Sequence, residues 1–337
     1  MADSMRLGLA LGYWGAEPTP GFVDLAQEAE RLGYESVWTA EAYGSDVFSP
    51  LVWIGAQTKK IKLGTGLVQI SARTPASVAM TAATIDHLTE GRLILGLGVS
   101  GPQVVEGWYG QPFPKPLARA REYVDVVRTI LRREGPVSHE GEHYPLPYPG
   151  GTGLGKPLKI TVHPLRPDIP IYLGAQGPKN VALATEIADG WLPMFFSPYR
   201  TDRYEDALAK APDGFEVACV ATVVLGDDIA EALIPVKWAM AFYIGGMGAP
   251  GMNFHLDVVG NMGFAEDAQR VAELFREGKR EEAAMAVPDE LADEISLVGP
   301  EGRIRERLET WVKSPVTQLL AGTRDPAALK VLADALW

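Results

Sequence analysis

The feature that most constrains this chain is a repeated alternation. A short apolar run gives way to a stretch whose apolar residues recur at helical spacing, and the pattern then starts again. Arg6–Tyr13 is the first apolar run, and Phe22–Leu32 carries the helical period after a Pro-rich turn. Gly33 stands where a helix C-terminus favours glycine, and Ser36–Thr39 follows as a second strand. Leu51–Gln57 reads as a short helix and Ile61–Val68 as the third strand. Thr74-Pro75 opens a helix in the favoured cap-then-proline order, which runs to Thr89 and ends at Gly91. Leu93–Gly98 contains only leucine, isoleucine and glycine, as suits a parallel strand buried on both faces. After the helix Leu117–Arg133, a Gly/Pro-rich segment over residues 135–170 breaks the rhythm. It resumes with strand Ile171–Gly174, helix Asn180–Asp189, strand Gly190–Met194, a helix near Tyr204–Lys210 and strand Glu216–Leu225. Ile229–Asp293 is helical in pattern with Gly-rich breaks, Gly302–Lys313 is amphipathic, and Gln318–Ala321 supplies an eighth strand before a last helix. Eight βα units predict an α/β fold, a closed (β/α)8 TIM barrel formed by one domain over residues 1–337, with an insertion at about 135–170 after the fourth unit. A doubly wound open sheet would complete itself in about five or six strands.

Composition narrows the partners. With 47% hydrophobic residues in 337, the chain can bury a barrel-sized core, and its formal charge of −12 argues against nucleic acid. Met1–Arg6 lacks a signal-type pattern, and no apolar run approaches the ~18 residues of a membrane span, so a cytoplasmic protein without a membrane partner is expected. The sole cysteine, Cys219, lies in the apolar run Glu216–Val224 and reads as a buried strand residue.

Two literal motif matches fail on context. His139-Glu-Gly-Glu-His143 fits the zinc-peptidase pattern, which needs both histidines on one helical face. Gly141 between them, with Pro136, Pro145, Pro147 and Pro149 around them, predicts a hairpin turning at Glu140-Gly141 instead, so no metal is expected. Gly96-Leu-Gly-Val-Ser-Gly101 fits the dinucleotide fingerprint, but it follows the fourth strand rather than the first. No Walker A loop or G-x-S-x-G elbow occurs.

A barrel places its chemistry in the loops after its strands. Tyr13 and Trp14 follow strand one, Glu41 and Tyr43 follow strand two, and Gly66–Gln69 close strand three. Gly98–Pro102 and Gly174–Lys179 are glycine-rich and lead toward helices, which lets backbone N–H groups approach a phosphate. Candidates for acid/base work are Glu41, Tyr43, Glu106 and Tyr109. Tyr13, Trp14 and Trp108, with Tyr43 and Tyr109, are candidates to wall an apolar substrate pocket.

Ala29–Trp38 with Glu41, Leu63–Gly66, Asp86–Arg92 leading into Leu95–Gly98, and Ala188–Pro193, in this order and spacing, resemble the bacterial luciferase-like oxidoreductases. The resemblance implies a TIM barrel with an insertion, a homodimer or larger homo-oligomer, and coenzyme F420 or FMN as cofactor. The glycine loops resemble the F420-dependent branch. This implies cofactor contacts from Thr65, Gly66 and Leu67, from Gly98, Val99, Ser100 and Gly101, and from Gly174, Ala175, Gln176, Gly177 and Pro178. Gly66-Leu67 falls where the family carries a non-prolyl cis peptide. Where the family's sugar-phosphate dehydrogenases have a catalytic histidine and glutamate, this chain has Ala42 and Gly101. The implied reaction is hydride transfer between the deazaflavin and a small organic substrate. The alternatives are an FMN-dependent monooxygenase or a non-catalytic flavin-binding barrel.

Overall fold

A computed structural model describes residues 5–248 and 251–337, so part of the Met1–Arg6 segment lies outside the described residues. Ten strands form among the described residues: β1 (Arg6–Gly12), β2 (Ser36–Thr39), β3 (Lys62–Thr65), β4 (Val68–Gln69), β5 (Leu93–Gly98), β6 (Ile171–Gly174), β7 (Gly190–Leu192), β8 (Glu216–Leu225), β9 (Ser296–Gly299) and β10 (Gln318–Gly322). Neighbours run β10-β1-β2-β3-β5-β6-β7-β8, and β8 pairs back to β10. The result is a closed, all-parallel, eight-stranded barrel with helices outside.

Two details depart from the sequence reading. The third strand is divided at the cis peptide Gly66-Leu67, with β3 paired to the start of β5 and β4 to its end. The other is β9, which was not anticipated. β8 is ten residues long, enough to pair Ala218–Thr222 with β10 and Thr222–Leu225 with β9. That extra pairing anchors the helices of residues 229–294, which have their own buried cluster around Leu233, Met240, Ile244, Val259 and Val271.

Inside the barrel, Trp38, Ile94, Tyr172, Leu192, Ala218 and Leu320 pack into one cluster, with the Trp38 and Tyr172 rings 5.8 Å apart. At the strand starts Arg6 pairs with Glu35 (3.0 Å) and Glu216, and Lys62 with Glu35 (2.5 Å), closing the end opposite the expected site. Between strands and outer helices, Leu7, Val37, Leu63 and Leu95 meet Ala26, Leu51, Ile54, Ala79 and Val127 in the main core. Burial on both faces explains why these strands read as unbroken apolar runs. Cys219 lies in this core, fully buried, and burial pushes its thiol pKa up.

Residues 133–170 contain no helix, only antiparallel bridges Val137↔Leu158 and His139↔Leu146. This is the hairpin expected around Glu140-Gly141, so His139 and His143 do not share a helical face. The segment is held to the barrel by Arg166, which forms a 2.5 Å ion pair with the fully buried Asp86. Among the described residues, no helix is long and apolar enough to cross a membrane.

Candidate active site

The mouth is built on the split strand. Thr65 is fully buried; its hydroxyl accepts from Gly96 N (2.8 Å) and donates to Gly96 O (2.9 Å). The chains come so close that a Cβ on Gly96 would lie 1.9 Å from Thr65 O. Leu67 then lies across two neighbouring strand ends: a Cβ on Gly98 or on Gly174 would meet its methyls at 2.5 Å and 2.4 Å. Behind Gly98, Val99 and Gly174 there is almost no space, a void of about 10 Å³. These glycines are therefore required by side-chain packing. The dinucleotide-like Gly96–Gly101 run is a product of barrel geometry, with Gly101 accommodating the side chain of Gln103. Ser100 sits at φ 59°, which turns the chain out of β5 toward the loop.

Gly177 differs from the other loop glycines. A Cβ there would meet nothing within 4 Å, and it precedes the helix Pro178–Ile187, whose N-terminus has no side-chain cap. Gln176, Gly177 and Pro178 line a cleft of about 500 Å³ with Arg203, Phe254, Leu256, Asp257 and Asn261. Arg203 also has a buried Nη1 with no hydrogen-bond partner among the described residues. Its guanidinium rests on the Tyr204 ring at 5.2 Å. The helix N-terminus, the open glycine and the charge of Arg203 favour an anion in this cleft, and Asp257 on the same lining opposes it. Arg203 carries no sequence signal, because it follows a strand end only through a loop and its helix, Asp202–Leu208, is short.

The acid/base candidates are placed very unequally. Glu41 is buried with both oxygens engaged: Oε1 accepts from Gln69 N (2.9 Å) and Arg73 Nη1 (2.6 Å), and Oε2 from Val47 N (3.2 Å). Burial opposes the charge on Arg73, but the hydrogen bond and field of Glu41 outweigh it and raise its pKa. Glu41 thus braces the loop after β2. Tyr109 donates its proton to Ala42 O at 3.1 Å, and its pKa is raised chiefly by burial. Glu106 is exposed on the surface and Trp108 stands 64% exposed. Trp14 packs edge-on to Phe22 at 5.6 Å.

Tyr13 and Tyr43 are joined by two residues that sequence reading did not single out for the site. Tyr243, on a π-helical turn over Phe242–Gly246, lies beside Tyr13, and burial is the main cause that raises the pKa of both phenols. His255, from the helix Phe254–Val259, packs on Tyr243 at 5.0 Å and on Phe195 at 5.8 Å. Phe195 follows β7 at φ 53°, so the barrel rim and the helical lobe meet in these rings.

A closed parallel barrel with a divided third strand and a cleft beyond β6 is the architecture against which the comparisons are set. The sequence profile of the family described as luciferase-like monooxygenase matches residues 6–318. The chain is 51% identical over 346 residues to a Mycobacterium tuberculosis protein provisionally named a coenzyme F420-dependent oxidoreductase, covering 98% of this chain and 100% of that one. It is 31% identical to a 5,10-methylenetetrahydromethanopterin reductase of Archaeoglobus fulgidus, over 88% of this chain and 87% of that one. The solved structure of a coenzyme F420-dependent tetrahydromethanopterin reductase from Methanopyrus kandleri superposes with a TM-score of 0.75 at 25% identity, covering 99% and 98% of the two chains. The chain belongs to the luciferase-like family.

Proposed function

We propose that the protein is a coenzyme F420-dependent oxidoreductase that transfers a hydride between the deazaflavin and a small organic substrate. The observation that carries this is the cleft itself: Arg203, whose buried Nη1 has no hydrogen-bond partner among the described residues, lines it together with the uncapped helix N-terminus at Gly177. Leaving a buried donor unmade costs about 1–3 kcal/mol, more for a charged group, so the site is matched to an anionic ligand group. The phosphate tail of F420 fits it. The relatives named for F420 support the same cofactor.

In this reading Arg203, Gly177 and Pro178 hold the phosphate. Thr65, Gly66, Leu67 and the backbone of Gly98–Gly101 and Gly174–Gln176 back the ring. When bound, the deazaflavin supplies the atom that gives or takes the hydride. The chain contributes a packed floor that fixes the angle of approach, and aromatic residues at the mouth that displace water from it.

The test is titration of the purified protein with F420 and, separately, FMN, followed by cofactor fluorescence. Micromolar binding of F420 with negligible binding of FMN is expected. Preference for FMN would replace this proposal with oxygen-dependent monooxygenation, checked by oxygen uptake.

A further inference from the structure

The side chain of Gln69 holds an unmade hydrogen bond at the mouth that the cofactor reading leaves unused. Gln69 ends β4, two residues past Leu67, and is 3% exposed. Val68 and Ile70 on either side of it belong to the main core outside the barrel wall. Strand alternation therefore turns Gln69 inward, onto the face of its register partner Gly98. Gly98 has no side chain to answer it. The carboxamide is held from one side only: Nε2 donates to Glu41 O (3.2 Å) and Ala42 O (3.3 Å). Turned over, it would set its own oxygen against two carbonyls, so hydrogen bonding fixes this orientation. Oε1 is thereby left buried, with no hydrogen-bond partner among the described residues. Native interiors seldom keep such an orphan without a use. The residue is also firmly held. Gln69 N donates to Glu41 Oε1 (2.9 Å), which Arg73 Nη1 holds at 2.6 Å, and Glu41 Oε2 accepts from Val47 N (3.2 Å). The Tyr109 hydroxyl shares Ala42 O at 3.1 Å. The loops after β2, β4 and β5 thus meet on one carboxamide whose free atom is an acceptor.

We propose that Gln69 binds the cofactor ring, its Oε1 accepting the imide N–H on the ring's pyrimidinedione edge. This rests on the cofactor reading above, which backs the ring with Leu67 and Gly98, on the same inner face as Gln69. An acceptor with no donor of its own selects a ligand that brings one. The imide nitrogen lies between two carbonyls and carries the only N–H of the oxidised deazaflavin ring. One bond therefore decides which edge of the ring faces β4 and, with it, where the hydride-carrying atom sits. Glu41 and Arg73 act through Gln69 as positioning residues. Because Oε1 touches no solvent, the ring must part the side chains over it on entry, and the bond it then makes is closed to water.

The test places ¹⁵N-labelled F420 in unlabelled full-length protein and follows exchange of the imide N–H with water by NMR. In the wild-type complex that exchange should be slower than on the free cofactor by about tenfold or more, the mark of a hydrogen bond shielded from solvent. Gln69→Met removes the acceptor at nearly unchanged volume. Its F420 affinity should fall about tenfold, and at saturating F420 the imide should exchange at close to the free rate. Arg73→Met loosens the clamp without removing the acceptor and should speed the exchange severalfold. Arg73→Lys should recover much of the protection, a rescue that a packing defect alone would not show. An imide that exchanges as fast in the wild-type complex as on the free ring, or one as well protected in Gln69→Met as in wild type, would overturn the proposal. Binding of FMN in place of F420 would strike the cofactor reading instead; ¹⁵N-labelled FMN, whose ring carries the same imide, then decides this proposal by the same exchange rate.

Discussion

His255 shows how one side chain couples the site to stability. Burial disfavours its charged form and lowers its pKa from 6.5 to about 4. The unfolded chain takes up this proton near pH 6.5, but the native protein does not until about pH 4. Between those values the unfolded state binds more protons, so native stability is complete above 6.5 and falls as pH drops through the window. At about 1.4 kcal/mol per unit, the loss reaches roughly 2 kcal/mol by pH 5. His255→Gln should escape it. Urea unfolding at pH 7 and pH 5 is expected to show the wild type losing about 2 kcal/mol more than the variant; equal losses would mean that His255 is not the group responsible. Nothing in the sequence around Asn253–Leu256 announces this residue, whose burial depends on Phe195 and Tyr243 arriving from distant parts of the chain. Tyr13 and Glu41 were legible as mouth residues because each follows a strand. Their roles were not, since the Glu41–Arg73 pair spans 32 residues and leaves no local trace.

At the scale of elements, the boundaries that could be read were those set by local chemistry. Thr74 caps Pro75–Leu88 by accepting from Ser77 N at 3.2 Å, as its position before proline predicts. What was hidden was set by contact between elements: β9 exists because β8 outruns β10, and the break between β3 and β4 because Leu67 must cross Gly98 and Gly174. The glycines of these loops looked like a phosphate cradle, and packing explains two of them without any ligand. That distinction is testable. Gly98→Ala places a methyl 2.5 Å from the Leu67 methyls and should displace Leu67 from the floor, costing about 1–3 kcal/mol in stability, the usual range for overpacking. Leu67→Ala made alongside it vacates that space. In a double-mutant cycle scored by denaturant unfolding, the pair should be less destabilised than the sum of the singles, with a coupling of about 1 kcal/mol or more. Additive losses would show that Gly98 is needed for some other contact. By contrast Gly177→Ala, with open space around it, should leave stability nearly unchanged and affect only ligand binding.

Across the whole molecule, the barrel and the helical lobe share the cleft where Arg203 and Gln176–Pro178 face Phe254, Leu256 and Asn261. A ligand held there touches both bodies, so binding energy is also energy that keeps the lobe seated over the mouth. At a ligand concentration of about 100 Kd the native state should gain roughly 2.7 kcal/mol, seen as a higher unfolding midpoint and as slower amide exchange in residues 254–265 as well as in the barrel loops. Arg203 is the group that makes the coupling electrostatic. In a chain of net charge −12, an anionic ligand is drawn to this cleft by a local cation against the overall field. Arg203→Met keeps much of the stem that packs on Tyr204 and removes only the charge and its donors. Its F420 affinity is expected to fall by about tenfold or more, the worth of a charge-assisted hydrogen bond. Raising salt from 50 to 500 mM should weaken wild-type binding more than that of the variant. Arg203→Met binding F420 as tightly as wild type, with the same salt dependence, would move the phosphate seat elsewhere on the barrel rim and leave the unpaired guanidinium without a ligand.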